Sequence, residues 1–318
     1  MNVSDFKDAP VMPKWSAYAG QPINTFERRA LAIATESDEA FVAQGFYYQG
    51  EFWKAVIPKS GVAAIIGQRM NFSPPRRNSD GTSRPSLFFL NHVQARLKMD
   101  PDRPLCLYPP EADQEGEPAH RITDFCYSVE AVGPLGRKWN TQDALLGNLA
   151  LVHRFLSTED VAFERVMRER MTVLQSPPLP LEAEFRNRLL AEAVRESHAA
   201  GLSRPYFMMR LPFSATNCTS EPLKMLDEVL RTPRSRRVLR RFPIHPRAYL
   251  KLRGLWTEGQ MIATLNDEMA AWIQGEGGKQ RREIHVNKKK QRPKDGVPVP
   301  VSYWKRVTSV FRSMRAGT

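Results

Sequence analysis

Cysteine is scarce: Cys106, Cys126 and Cys218 are the only three in 318 residues, and no two form a CxxC pair. So few thiols exclude a disulfide framework, and their spacing carries no zinc signature; reduced thiols and no bound metal or cofactor are expected. Long apolar runs are also missing. The most apolar stretches, such as GVAAIIG at 61–67, are core-sized, well short of the ~18 residues that mark a membrane-spanning helix. The start, MNVSDFKDAPVMPKW, lacks a basic segment followed by an apolar one. No secretory leader is visible there, and a cytoplasmic location is the plain expectation.

What is present suits a folded protein. Hydrophobic residues make up 42% of the chain and charged residues 25%, enough for one large domain or two small ones and too apolar for disorder. The net charge of +13 resembles a nucleic-acid signature until it is located. Residues 279–318 hold twelve Lys or Arg against Glu283 and Asp295, so +10 of the total sits in the last 40 residues. The body is nearly neutral, and no nucleic-acid-binding motif accompanies the basic run.

Four segments follow from the patterning. Residues 1–50 are expected to form an N-terminal cover, with a helix from about Phe26 to Phe41 carrying Leu31, Ile33 and Ala34 on an apolar stripe. Residues 51–255 are expected to be the main domain. Its aromatic start leads to the turn-rich SPPRRNSDGTSRP at 73–85, then to a strand reading SLFFLNHVQARLKM. Alternation there places His92, Gln94 and Arg96 on one face and Val93, Ala95 and Leu97 on the other. A loop at 109–118 precedes a strand at 122–132, and helical patterns cover Asp143–His153, Thr158–Leu174 (with Thr158 as N-cap) and Ala183–Ala200. A helical extension, 256–278, and a basic, mobile tail, 279–318, complete the chain.

The most informative segment is SATNCTSEPLKMLDEVL at 214–230. Leu223, Leu226, Val229 and Leu230 mark the buried face of a helix, and Thr216, Asn217, Thr219 and Ser220 can cap its first turn. Cys218 therefore sits at a helix start, where free N–H groups and the helix dipole favour a thiolate and are expected to lower its pKa toward neutrality. A base is still needed. His92, mid-strand among polar neighbours, is the best placed; His120, His153, His198, His245 and His285 have loop, helix-end or tail settings. Cys106 and Cys126 lie in apolar strand-like runs and read as inert core thiols. Glu130, on the next strand, is the candidate third group that orients the base.

The order of strand histidine, sheet, helices and Asn-Cys-Thr at a helix start resembles the Lnb-type N-terminal periplasmic domain family. The likeness runs from about Ser86 to Leu255, on LNHVQARL at 90–97, ITDFCYSVEAVGPLGRKWN at 122–140, PYFMMRLPFSATNCTSEPLKMLD at 205–227 and RFPIHPRAYLKLRGL at 241–255. It implies an α+β fold, a circularly permuted papain-like domain with a small antiparallel sheet packed against helices, related to the NlpC-type and lecithin-retinol-acyltransferase groups. Family members look like lipoprotein N-acyltransferases that carry the acyl chain as a cysteine thioester. On that pattern Cys218 matches the nucleophile and His92 the base, with Asn217 and Thr219 as neighbours and substrate-binding candidates. The resemblance also implies the cell envelope, where a leader has been removed.

The expectation is thus a cysteine-dependent acyltransferase or hydrolase acting on an acyl or amide bond, with a lipid or lipoprotein among its substrates. The alternative is a nucleic-acid- or anionic-membrane-binding protein on a catalytically idle papain-like fold. Its basic groups would come from VNKKKQRPK, from RTPRSRRVLRRF at 231–242 and from the tail segment SYWKRVTSVFRSM, whose aromatics among cations suit an anionic membrane surface. No specific nucleic acid is expected as partner.

Overall fold

Alternating burial, the signature of strands, begins earlier in the chain than the sequence reading placed it. A computed structural model describes residues 10–71, 76–77, 83–84, 91–112, 116–137, 139–210, 214–237, 245–256 and 263–291. Its strands are β1 (Ala32–Glu36), β2 (Ala40–Tyr48), β3 (Glu51–Pro58), β4 (Val62–Asn71), β5 (Arg76–Arg77), β6 (Ser83–Arg84), β7 (Asn91–Met99), β8 (Leu105–Tyr108), β9 (His120–Ile122), β10 (Asp124–Val132), β11 (Leu149–Ser157), β12 (Val173–Pro178), β13 (Pro205–Arg210) and β14 (Ser214–Thr216). The helices are α1 (Thr141–Leu146), α2 (Thr158–Val161), α3 (Ala183–Ala200), α4 (Ser220–Val229), α5 (Arg234–Arg237), α6 (Pro246–Leu252), α7 (Leu265–Glu268), α8 (Ala270–Gln274) and α9 (Glu276–Gln291).

The mixed α+β class holds, but the sheet is large: twelve strands, in the path β12-β4-β7-β10-β11-β2-β3-β8-β9, with β1 on β2, β13 on β11 and β14 on β13. Pairing is antiparallel except where β11 meets β2 at Leu156 and Tyr47. The expected helix at Phe26–Phe41 is instead the hairpin of β1 and β2. Ser37 ties its turn by accepting from the backbone of Ala40, while the Leu31 and Ile33 N–H groups donate to Ser197 Oγ and His198 Nδ1 of α3 rather than to a helical carbonyl. Residues 32–48 are therefore part of the sheet. Gly45 takes a φ of 102°, and a side chain there would meet the Ala30 carbonyl oxygen at 2.7 Å, so the bulge between Gln44 and Phe46 requires glycine.

Two other helical expectations shorten. Helix α1 ends at the left-handed Gly147, and the rest of Asp143–His153 enters β11, buried along its whole length. A central strand covered on both faces shows no alternation, which is why its sequence passes for a helix. Ser157, not Thr158, caps α2 by accepting from the Asp160 N–H; a π-helical turn at Ala162–Arg168 follows, and Val173–Pro178 is strand. Helix α3 spans the residues expected of it.

The two faces of the sheet differ. On one, Leu97, Phe125, Tyr127, Val129 and Leu151 pack beneath Leu189, Leu190 and Val194 of α3 and Leu226 of α4. On the other, Met70, Cys126 and Leu156 meet Val161, Ala162 and Leu265, beside buried ion pairs. Arg154 bonds Glu164 through two contacts of 2.9 Å, and Arg96 reaches Asp124 and Glu268. Helix α9 extends into the segment assigned to the tail, with Arg281 buried and donating to Asp160 Oδ1 at 2.7 Å. Most of the 73–85 loop, SLFFL at 86–90, residues 238–244 and the segment 292–318 with SYWKRVTSVFRSM lie outside the described residues. Among the described residues no helix is long and apolar enough to cross a membrane.

Candidate active site

Cys218 lies in the turn between β14 and α4, and Asn217 shapes that turn. The Asn217 Oδ1 accepts from the N–H groups of Thr219 and Ser220, both at 2.9 Å, and its Nδ2 donates to the Met208 carbonyl at 2.8 Å. Asn217 thus ties the turn that leads into the helix, and both ends of its amide are held by backbone. Thr219 Oγ1 donates to the Asn91 carbonyl at 3.2 Å, pinning the helix start to β7. Docking is possible there because β10 pairs with β7 only as far as Ser128 opposite Gln94, which leaves the first residues of β7 to meet α4.

Cys218 is buried, with the residue 4% exposed. Its sulfur accepts a hydrogen bond from the Tyr206 hydroxyl at 3.5 Å and one from the Val93 backbone N–H, and its own proton points to the Asn91 carbonyl at 3.7 Å. The sulfur therefore rests on the peptide groups of the two residues that flank His92. Burial pushes its pKa up, and the Tyr206, Val93 and Thr219 hydrogen bonds offset only part of that. The lowering expected from the helix start does not prevail, because desolvation of the anion outweighs it; the resting group is a thiol.

His92 is buried as well, and its Nε2 lies 2.9 Å from Ser128 Oγ. Ser128 donates its one proton to Glu130 Oε1 at 3.2 Å. Ser128 Oγ thus links the imidazole to Glu130, and Gln94 bonds the ring as well. Burial, with the charge of Arg165, pushes the His92 pKa down to about 3 against the opposing pull of Glu130 and Gln94. Burial alone would raise the Glu130 carboxyl, but Arg165, Arg154 and Arg28 hold it well below the usual range. Arg154 and Arg165 reach Glu130 Oε1 at 3.1 and 2.9 Å, and Arg28 bonds the second oxygen.

Glu130 thus meets His92 through a serine, and Cys218 meets the strand of His92 through its backbone. Sequence reasoning missed Ser128 and Tyr206. Ser128 carried a faint signal, since it precedes Glu130 by two residues on one strand and so shares its face. Tyr206 lies in an apolar run and carried none.

A cavity of about 250 Å³ lies between the sheet and helices α3, α4 and α6, and neither Cys218 nor His92 is among the residues that line it. Val93, Ala95, Leu179, Leu189, Leu223 and Leu226 supply apolar walls, and Arg69 and Arg247 a cationic portion beside His245, whose pKa burial and the two arginines push down. Arg69 Nη1 and His245 Nε2 are 2.7 Å apart. Val93 belongs to both features: its N–H meets the sulfur and its side chain lines the cavity. No family model, no curated protein and no solved structure matches this chain.

Proposed function

We propose that the protein is a cysteine-dependent acyltransferase or hydrolase that cleaves an acyl or amide bond through an acyl-enzyme on Cys218, on a permuted papain-like arrangement. The observation that carries this reading is the setting of the sulfur: two donors converge on it, from the Tyr206 hydroxyl and the Val93 N–H, and Val93 also lines an apolar cavity. Donors of that kind favour the anion formed as the thiol gives up its proton. An apolar cavity with arginines at one part of its lining fits an acyl chain bearing a polar or anionic head. A lipid or lipoprotein substrate agrees with the Lnb-type resemblance.

The steps balance with the residues present. The sulfur attacks the substrate carbonyl carbon as its proton passes to a base, the part this reading gives to His92, whose ring makes no hydrogen bond to the sulfur in the resting structure. The tetrahedral intermediate collapses, the bond to the leaving group breaks, and the imidazolium returns its proton to that group. An amine or water then attacks the thioester, giving its proton to His92 and freeing the thiol. Glu130, acting through Ser128, stabilises the imidazolium.

The test is pre-steady-state hydrolysis of nitrophenyl esters of medium-chain fatty acids. A burst of one nitrophenolate per chain, absent in Cys218→Ala, is expected; a full burst in that variant overturns the reading. A second reading, a catalytically idle fold that binds nucleic acid or anionic membrane through its basic C-terminal segment, is favoured by the deep burial of both Cys218 and His92. No burst from the native chain, together with sedimentation on anionic but not neutral liposomes or with retention of RNA, is the outcome it requires.

A further inference from the structure

His153 takes no part in this chemistry, yet it is built into a site of its own. Its side chain is fully buried on β11; Nδ1 lies 2.7 Å from the Tyr127 hydroxyl, and Nε2 has no hydrogen-bond partner. Glu196 of α3 and Glu221 of α4 converge on the same place. One ligand atom from each of His153, Glu196 and Glu221 lies within 4.8 Å of the others.

We propose that His153, Glu196 and Glu221 bind one zinc ion. An imidazole nitrogen and two carboxylates form a donor set that zinc accepts, with a fourth position left for water or substrate. With Nδ1 engaged by Tyr127, the nitrogen available to a metal is Nε2. A neutral ring that donates its Nδ1 proton to the Tyr127 hydroxyl presents its Nε2 lone pair, the outer hydrogen bond that commonly fixes the tautomer of a metal-bound histidine. The partnerless Nε2 is the observation that separates this cluster from an ordinary patch of acids. The ligands come from a strand and two helices, so no spacing in the sequence announces them.

Two cations stand in for the metal when it is absent. Arg204 bonds Glu196 and lies 4.0 Å from Glu221, and the Lys224 ammonium lies 3.9 Å from each carboxylate. Both side chains are 34% exposed, so each can turn to solvent as the dication enters. Removing Arg204 therefore strengthens zinc binding, whereas a purely structural ion cluster would gain nothing.

The measurement is calorimetric titration of the untagged, metal-stripped full chain with zinc chloride, followed by cobalt(II) substitution read by visible absorption. One equivalent is expected, with d–d bands of a four- or five-coordinate ion. Affinity should fall roughly tenfold or more in Glu221→Gln and in His153→Gln, and rise in Arg204→Gln. Glu196→Gln, at a partly exposed helix position, carries the same test if His153→Gln does not fold. Absence of binding, or equal affinity in the glutamate variants and the native chain, overturns the proposal. The readout is binding, so it stands apart from the fate of the Cys218 mechanism.

Discussion

At the scale of single residues, the proposed chemistry depends on how three buried groups share protons. Cys218 rests as a thiol, and the Tyr206 hydroxyl is the side-chain donor that most favours its anion. Tyr206→Phe should therefore raise the thiol pKa further and slow iodoacetamide alkylation at pH 8 by roughly tenfold, the worth of one hydrogen bond to a charged group. The pH profile of alkylation should be displaced upward in step; an unmoved profile would remove Tyr206 from the site. Ser128 is the hinge of the other half. Ser128→Ala leaves the His92 Nε2 and a Glu130 oxygen without their shared partner, so it should cost about 1–3 kcal/mol of stability, read by urea denaturation. If Glu130 acts on His92 through Ser128, the same variant also lowers kcat more than it raises KM.

At the scale of elements, the ion pairs between the second face of the sheet and the C-terminal helices replace apolar packing. Arg281 of α9 is buried against Asp160 of α2, and losing one partner of such a pair leaves an uncompensated charge. Arg281→Ala should destabilise the protein by about 3 kcal/mol, seen as a lower urea midpoint, whereas a change below ~0.5 kcal/mol would mean that α9 is only loosely attached. Sequence legibility also divides by element. Helix α3 could be read because it keeps one wet side and one dry side, and β7 because polar and apolar side chains alternate along it although both of its faces are buried. The burial of β11 on both faces removed its alternation, and β1, which pairs with β2, is short and mostly exposed and so shows none. Cys218 at a helix start was legible from Asn217 and Thr219; the desolvation that reverses the expected pKa shift depends on tertiary burial, which no local pattern encodes.

At the scale of the whole molecule, two buried imidazoles link stability to pH. Burial pushes His92 down to about 3 and His153 to about 4. In the unfolded chain each takes a proton below about pH 6.5, so between those values the unfolded state binds more protons and stability falls as pH falls. Urea midpoints should decline from pH 6.5 toward pH 4, with a shallower slope in His92→Gln; an equal slope would mean that His92 is protonated in the folded state. The proposed activity depends on a sulfur held between Tyr206 and the strand of His92 being a nucleophile. The most direct test is the intact mass of the chain after exposure to an electrophilic acyl probe. One adduct is expected, mapping to Cys218, kept in Cys106→Ala and Cys126→Ala, and slowed in His92→Gln. Undiminished labelling of Cys218→Ala would contradict the central claim.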